Sequence, residues 1–219
     1  MNNAPLPPLD FETLLAETDR VNANRVLARE TAALPATMNE ALPFFRDLIE
    51  RHHAVMLRAD TASAMAIRAE AEQLATKLNG FEPGYLADSN APGCVLDRKT
   101  RARKGKVPLW GQSGAFEVAV QDMRAWIEMD GVFGISGSCT AWLDFKVRAI
   151  EWDKPFISET GYRSFLGLGG ELVPGLTPDA FVREVIAQHI KVALKGKPVA
   201  IKPEYRDREQ PRRKSEVSS

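Results

Sequence analysis

The stretch "AFEVAVQDMRAWIEMDG", Ala115 to Gly131, sets the fold class, because its apolar residues recur at every second position. "AFEVAV" alternates and "MRAWIEM" alternates in the opposite phase, the period of a strand with one buried face. Asp130-Gly131 then reads as a two-residue hairpin turn into "VFGISG". Further on, "TAWLDFKVRAIEW" places Ala141, Leu143, Phe145, Val147 and Ala149 on one face. Trp142, Asp144, Lys146, Arg148 and Trp152 fall on the other. These signals predict a meander of about four antiparallel strands, one face on a core and the other partly wet.

Beyond the meander, "LTPDAFVREVIAQHIKVALKG" is the strongest helix pattern in the chain. Thr177 stands as N-cap, Pro178 at the first position, Asp179 in the first turn and Gly196 at the stop. Val182, Val185, Ile186, Ile190, Ala193 and Leu194 form its apolar stripe, and "KPVAI" is a short strand candidate. The tail from Pro203 is charged and poor in apolar residues, which predicts disorder.

Before the meander the period changes to 3.6. "LDFETLLAETDRVNANRVLARETAAL" predicts a helix capped by Asp10 and packed at one end through Phe11, Leu14, Leu15 and Thr18. "ALPFFRDLIERHHAVMLRA" repeats Phe45, Leu48, Ile49, His52, Val55 and Met56, with Pro43 tolerable only near the first turn. After Asp60 and Thr61, a second stripe of Ile67, Ala71, Leu74 and Leu78 runs to Asn79-Gly80, so the two form a helical hairpin. The segment from Phe81 to Pro108 keeps no period and reads as a loop or crossing.

The fold class is therefore α+β: N-terminal helices with a helical hairpin, then an antiparallel β-meander followed by a C-terminal helix. The divisions are a flexible N-terminus at 1–9, a helical region at 10–80, the loop or crossing at 81–108, the meander with its helix at 109–203, and a disordered tail at 204–219.

Among 219 residues, 29 basic side chains balance 29 acidic ones, so no global field draws in nucleic acid or an anionic membrane. The N-terminus has no basic and apolar leader, and no apolar run approaches the roughly 20 residues of a membrane span. A cytoplasmic protein is expected, with Cys94 and Cys139 reduced and unbridged. No Walker loop, GxSxG elbow, HExxH or paired CxxC occurs. His52 and His53 point about 100° apart on a helix and cannot share a metal. His189 sits on an apolar stripe as a core histidine bonded to a backbone carbonyl. No metal or cofactor is expected.

Three features are candidates for binding. The run "DRKTRARKGK" gathers Arg98, Lys99, Arg101, Arg103, Lys104 and Lys106, and the tail adds Arg206, Arg208, Arg212, Arg213 and Lys214; such residues contact phosphates, or simply solvate a loop. Trp142, with Trp126 and Trp152, could make a stacking platform for bases, whereas tryptophans such as these and Trp110 also cover cores or meet partner proteins. In "DKPFISETGYRSFLG", Asp153 to Gly167, Thr160 could cap a helix starting at Gly161. Backbone N–H groups, Ser158, Thr160 and Arg163 would then face an anion, with Glu159 as the nearby acid. Packing explains the stretch nearly as well, with Arg163 paired to Glu159 or Asp153 while Phe156, Tyr162, Phe165 and Leu166 fill the corner.

"GYRSFLGLGGELVPG" resembles the G-x-R box of ParB and sulfiredoxin-like domains, in which a glycine and an arginine after a strand start a helix that holds phosphate. The resemblance covers about 15 residues and carries over Gly161 and Arg163; the box's second arginine is Ser164 here, and the sulfiredoxin cysteine has no counterpart. It implies a relation to plasmid proteins that suppress oncogenicity or fertility by interfering with conjugative DNA transfer. The function expected is an intracellular accessory protein of a plasmid or mobile element that binds nucleic acid or nucleotide. Two alternatives stay open. One is a phosphodiester- or nucleotide-hydrolysing enzyme, with Glu159, Asp153 or Asp144 as metal ligand or base and Arg163 stabilising charge. The other is a protein-interaction adaptor working through the helical hairpin or the tryptophans.

Overall fold

The computed structural model describes residues 11–134, 143–168 and 173–206. Helix α1 (Phe11–Glu30) is followed by α2 (Met38–Leu57), α3 (Thr61–Leu78) and α4 (Pro92–Thr100), then by strands β1 (Gly114–Val120), β2 (Met123–Met129), β3 (Leu143–Ala149) and β4 (Tyr162–Leu168), and last by α5 (Pro178–Val192). The strands form one antiparallel sheet in the order β1-β2-β3-β4, so the chain has the α+β architecture its periodicities predict.

The sheet's inner face is the alternation made physical. Phe116 and Val118 of β1, Ala125 and Ile127 of β2 and Phe145 and Val147 of β3 are at most 1% exposed, and register puts Val118 opposite Ala125 and Ile127 opposite Val147. Each such side chain removed from water contributes roughly 1.5–3 kcal/mol before entropy is counted, Ala125 less. The phase reversal between β1 and β2 is a two-residue turn at Gln121 and Asp122, since Val120 pairs with Met123.

The α2–α3 hairpin closes the core from one side. Thr37 and Glu40 form a reciprocal capping box at the start of α2, and the Asp60 carboxylate accepts from Ser63 N–H (3.0 Å) at the start of α3. Every apolar position expected on α2 is buried, together with His52. Pro43 lies inside the helix, beyond its first turn, and deprives the Asn39 carbonyl of its helical donor. Helix α5 packs against β1; Val182, Ile186 and Ile190 are buried and Val185 and Leu194 half-buried, but Ala193, at the C-cap, is exposed. Gly196 N–H reaches back to the Ile190 carbonyl (2.8 Å) and ends the helix.

Several expectations are corrected. Asp130-Gly131 is no hairpin turn: the chain leaves the sheet there, and Val132 N–H bonds the Gly111 carbonyl (2.9 Å) while Val132 is buried. Of "VFGISG", Val132 to Gly134 make a turn and the rest lies outside the described residues. The 81–108 segment is not all loop, because α4 occupies its middle. Pro92 starts that helix, and Gly93 is there because a Cβ would lie 2.6 Å from Leu86 Cδ2 and 2.9 Å from the Tyr85 carbonyl oxygen. Helix α1 packs by its far end: Leu14 and Leu15 are each 48% exposed, whereas Leu27 is half-buried and the following Thr31 buried. "KPVAI" supplies only a single bridge, Val199 to Phe156. Residues 203–206 form a helical turn with Tyr205 against the core, rather than the start of a disordered tail.

Candidate nucleic-acid interface

No helix begins at Gly161. The residue ends a turn with φ +69°, its hydrogen faces the Trp152 indole where a Cβ would collide, and Tyr162 opens strand β4. The polar groups ahead of it satisfy each other. Ser158 Oγ and Thr160 Oγ1 lie 2.7 Å apart, and each can donate to the Tyr162 carbonyl (2.8 and 2.9 Å). Glu159 is ion-paired with Lys202 (2.6 Å), not with Arg163. Arg163 stands opposite Val147 on the inward-facing parity of β4, and its guanidinium lies 5.3 Å from the Phe165 ring centre. Ser158, Glu159, Thr160 and Gly161 thus share one turn, and Arg163 is directed away from it. His189 meets Phe165 edge-on at 5.4 Å; burial, then Arg163, lowers its pKa, while the Ile157 backbone raises it.

The basic run is brought somewhere more productive. Arg98 and Lys99 end α4, where Arg98 donates to the Ser89 carbonyl (2.6 Å). The chain then runs along the outside of β1, with Ala102 N–H bonded to the Ser113 carbonyl (2.9 Å) and Gly105 N–H to the Ala115 carbonyl (2.8 Å). Two consequences follow. Lys99, Arg101 and Arg103 line a depression of about 430 Å³ together with Arg46 of α2, with Glu50 as its acid. Lys104 reaches over the sheet, its Nζ 5.6 Å from the Trp126 ring centre. Arg101, Arg103, Lys104 and Lys106 are all exposed.

Trp126 belongs to the outer face of the sheet. Register aligns Glu117, Trp126, Arg148 and Tyr162 in one row across the four strands. The Arg148 guanidinium lies 5.7 Å from the Tyr162 ring centre, a second cation over an aromatic face. Arg124 pairs with Glu117 (2.6 Å) and Lys146 with Asp130 (3.5 Å), and along the row charged and aromatic residues alternate from Glu117 to Tyr162. The other tryptophans separate: Trp110 is 1% exposed and donates Nε1–H to the Leu176 carbonyl (2.8 Å), Trp152 is half-buried over Gly161, and Trp142 lies outside the described residues.

Sequence reasoning missed Arg46, which looked like an ordinary surface residue of α2, and the meeting of Lys104 with Trp126, residues joined only by the path of the chain beside β1. The two adjacent histidines have a structural task. His52 Nδ1–H donates to the Trp110 carbonyl and His53 Nδ1 accepts from Trp110 N–H, both at 3.1 Å, so both rings are neutral and of opposite tautomer. Burial pushes His52 down to about 4 and lowers His53 as well. Among the described residues no His, Cys, Asp or Glu group could hold a metal ion, and no helix is long and apolar enough to cross a membrane. Cys94 is a free thiol, and Cys139 lies outside the described residues.

The family model described as the KlcB third domain matches residues 113–212, which take in all four strands and α5. Two Escherichia coli proteins, each named Protein KlcB, are similar to the chain. One is 35% identical over 178 residues, covering 81% of this chain and 42% of the relative; the other is 37% identical over 166 residues, covering 72% and 35%. The chain therefore spans about two-fifths or less of the length of these relatives. No solved structure matches it.

Proposed function

We propose that the chain is a nucleic-acid-binding accessory module that takes single-stranded DNA or RNA across the outer face of its sheet. The carrying observation is the seating of Arg101 to Lys106 beside β1, which joins the basic depression to the Trp126 and Tyr162 face through Lys104. Arg46, Lys99, Arg101 and Arg103 would hold backbone phosphates, and bases would stack on the half-buried Trp126 and the exposed Tyr162. The neutral overall charge makes this a local attraction rather than a long-range one. The chain resembles two Escherichia coli proteins named Protein KlcB over most of its length. The setting that fits this reading is a plasmid or mobile element, in which interference with conjugative DNA transfer would act on exposed single strands.

A fluorescence titration with labelled single-stranded oligonucleotides over a salt series tests the reading. Wild type should bind, with affinity falling as salt rises. Arg101→Ala with Arg103→Ala should shallow the log–log salt slope by about 1.4, from about 0.7 per lost phosphate contact. Trp126→Ala should weaken binding by about 1–3 kcal/mol and leave the slope unchanged. Flat titrations at low salt would end the proposal.

A protein-interaction role has one observation in its favour. Leu14, Leu15 and Val26 of α1 are 48%, 48% and 52% exposed, on a helix held toward the rest of the chain by the Arg20–Glu82 ion pair. Capture of a partner that survives nuclease treatment and is lost in Leu14→Asp with Leu15→Asp would favour it.

A further inference from the structure

The outer face of the sheet carries a carboxylate that a surface for a polyanion should avoid. Glu128 takes the next outward position after Trp126 on β2, about 6.8 Å along the strand at two residues of rise, and is half-buried. An acid that close to the stacking ring repels a phosphate backbone unless it meets a hydrogen donor. The other acid beside the ring is neutralised within the sheet: Glu117, opposite Trp126 on β1, is held by Arg124 at 2.6 Å, and that hydrogen bond lowers its pKa. Lys146, opposite Glu128 on β3, places its ammonium 3.5 Å from Asp130.

A cation reaches the same ring from the β1 side. Ala115 of β1 pairs with Glu128, and Gly105 N–H bonds the Ala115 carbonyl (2.8 Å), which brings the chain just ahead of Gly105 alongside Trp126. Lys104 is exposed, with its Nζ 5.6 Å from the Trp126 ring centre. A base taking that ring face moves the flexible ammonium to its own rim. It then has a strong donor at one border and a carboxylate acceptor at another.

We propose, resting on the strand-binding reading above, that Glu128 and Lys104 together read the base stacked on Trp126 and select guanine. Guanine carries N1–H and N2–H2 side by side on its Watson–Crick edge, two donors for the two oxygens of one carboxylate. Its O6 and N7 are acceptors on the adjoining edge, where an ammonium can meet them. Adenine and cytosine offer one amino group next to a ring nitrogen whose lone pair would face the carboxylate. Thymine and uracil offer a single N–H between two carbonyl oxygens. Glu128 thus penalises phosphate and rewards one base, and only in an unpaired strand, where the Watson–Crick edge is open.

Fluorescence titration of the 219-residue chain with labelled short thymine strands, carrying one central guanine, one central adenine or neither, tests the assignment. Guanine should bind at least about tenfold more tightly than adenine, the scale of one hydrogen bond to a charged group. Adenine controls for the stacking of a purine. Hypoxanthine in place of guanine lacks the N2 amino group and should lose most of the advantage. Glu128→Gln, whose amide sets N–H groups against guanine's donors, should bring guanine and adenine within about twofold of each other. Equal binding of guanine and adenine by wild type overturns the proposal and leaves the strand-binding reading standing, whereas flat titrations with every strand end both. A folded Glu128→Gln that keeps the preference, or that binds no strand, also overturns it. Should that variant not fold, the guanine–hypoxanthine contrast of wild type decides alone, and equal affinity for the two sinks the assignment.

Discussion

The two faces of the sheet are built from the same four strands and carry different chemistry. On the inner face Phe116, Val118, Ile127, Phe145 and Val147 are sealed from water. On the outer face Glu117, Trp126, Arg148 and Tyr162 occupy the intervening positions, and two of these are large aromatic rings attended by cations. Packing explains every residue of the first set. Core packing does not account for the rings and guanidinium groups on the second, although aromatic residues also suit a strand by propensity. The contrast teaches that stability and the recognition proposed for the outer face can be written into one alternating pattern, at odd and even positions, without competing for the same residue.

The comparison breaks first at the core. Phe145→Ala removes a fully buried ring stacked on Phe165 (5.0 Å) and should cost about 3–5 kcal/mol in a urea denaturation. Below its midpoint the variant should titrate oligonucleotides like wild type. Acid should act on the inner side next. His52 has an ordinary pKa of 6.5 and a folded one of about 4, so the unfolded chain binds its proton more readily. The stability due to its neutral burial is complete above pH 6.5 and is lost as pH falls toward 4, by roughly 3 kcal/mol in all. His52→Gln, which keeps a donor for the Trp110 carbonyl, should flatten that loss when urea midpoints at pH 7 and pH 4.5 are compared.

Gly161→Ala should cost about 1–3 kcal/mol, since it places a side chain at φ +69° and pushes the Trp152 ring. Its thermal midpoint should drop while the outer row stays intact. Trp126→Ala is the smallest in stability, no more than about 1 kcal/mol, the span of strand propensities. It sharpens the comparison because binding should suffer while the melting temperature barely moves.

The legible parts of this fold are those where one local period carries the message. Alternation gives β1, β2 and β3, and 3.6-residue spacing with caps gives α2, α3 and α5, because each such face is buried against a core that any amphipathic element would seek. Helix α4 was hidden because Pro92 and Gly93 look like loop punctuation; one starts the helix and the other lets it approach Tyr85. Asp130-Gly131 misled because turn chemistry is local, whereas the pairing of Val132 with Gly111 is not. The hydroxyls near Gly161 resembled a helix cap, yet they bond the Tyr162 carbonyl and introduce a strand. Of the candidate site, the basic run and Trp126 were visible as separate signals. Their proximity and the contribution of Arg46 depend on tertiary contacts that no sequence window contains.

The segment beside β1 has one more effect, through Ala102 and Gly105, whose N–H groups occupy the Ser113 carbonyl just ahead of that strand and the Ala115 carbonyl within it. At the opposite margin, no backbone hydrogen bond from a described residue outside the sheet reaches Arg163 to Leu168 of β4. Among the described residues the sheet is thus stoppered on one side only. If two copies joined laterally through β4, a two-fold axis would turn both stoppered margins outward, and growth would terminate at a pair instead of continuing into a fibre.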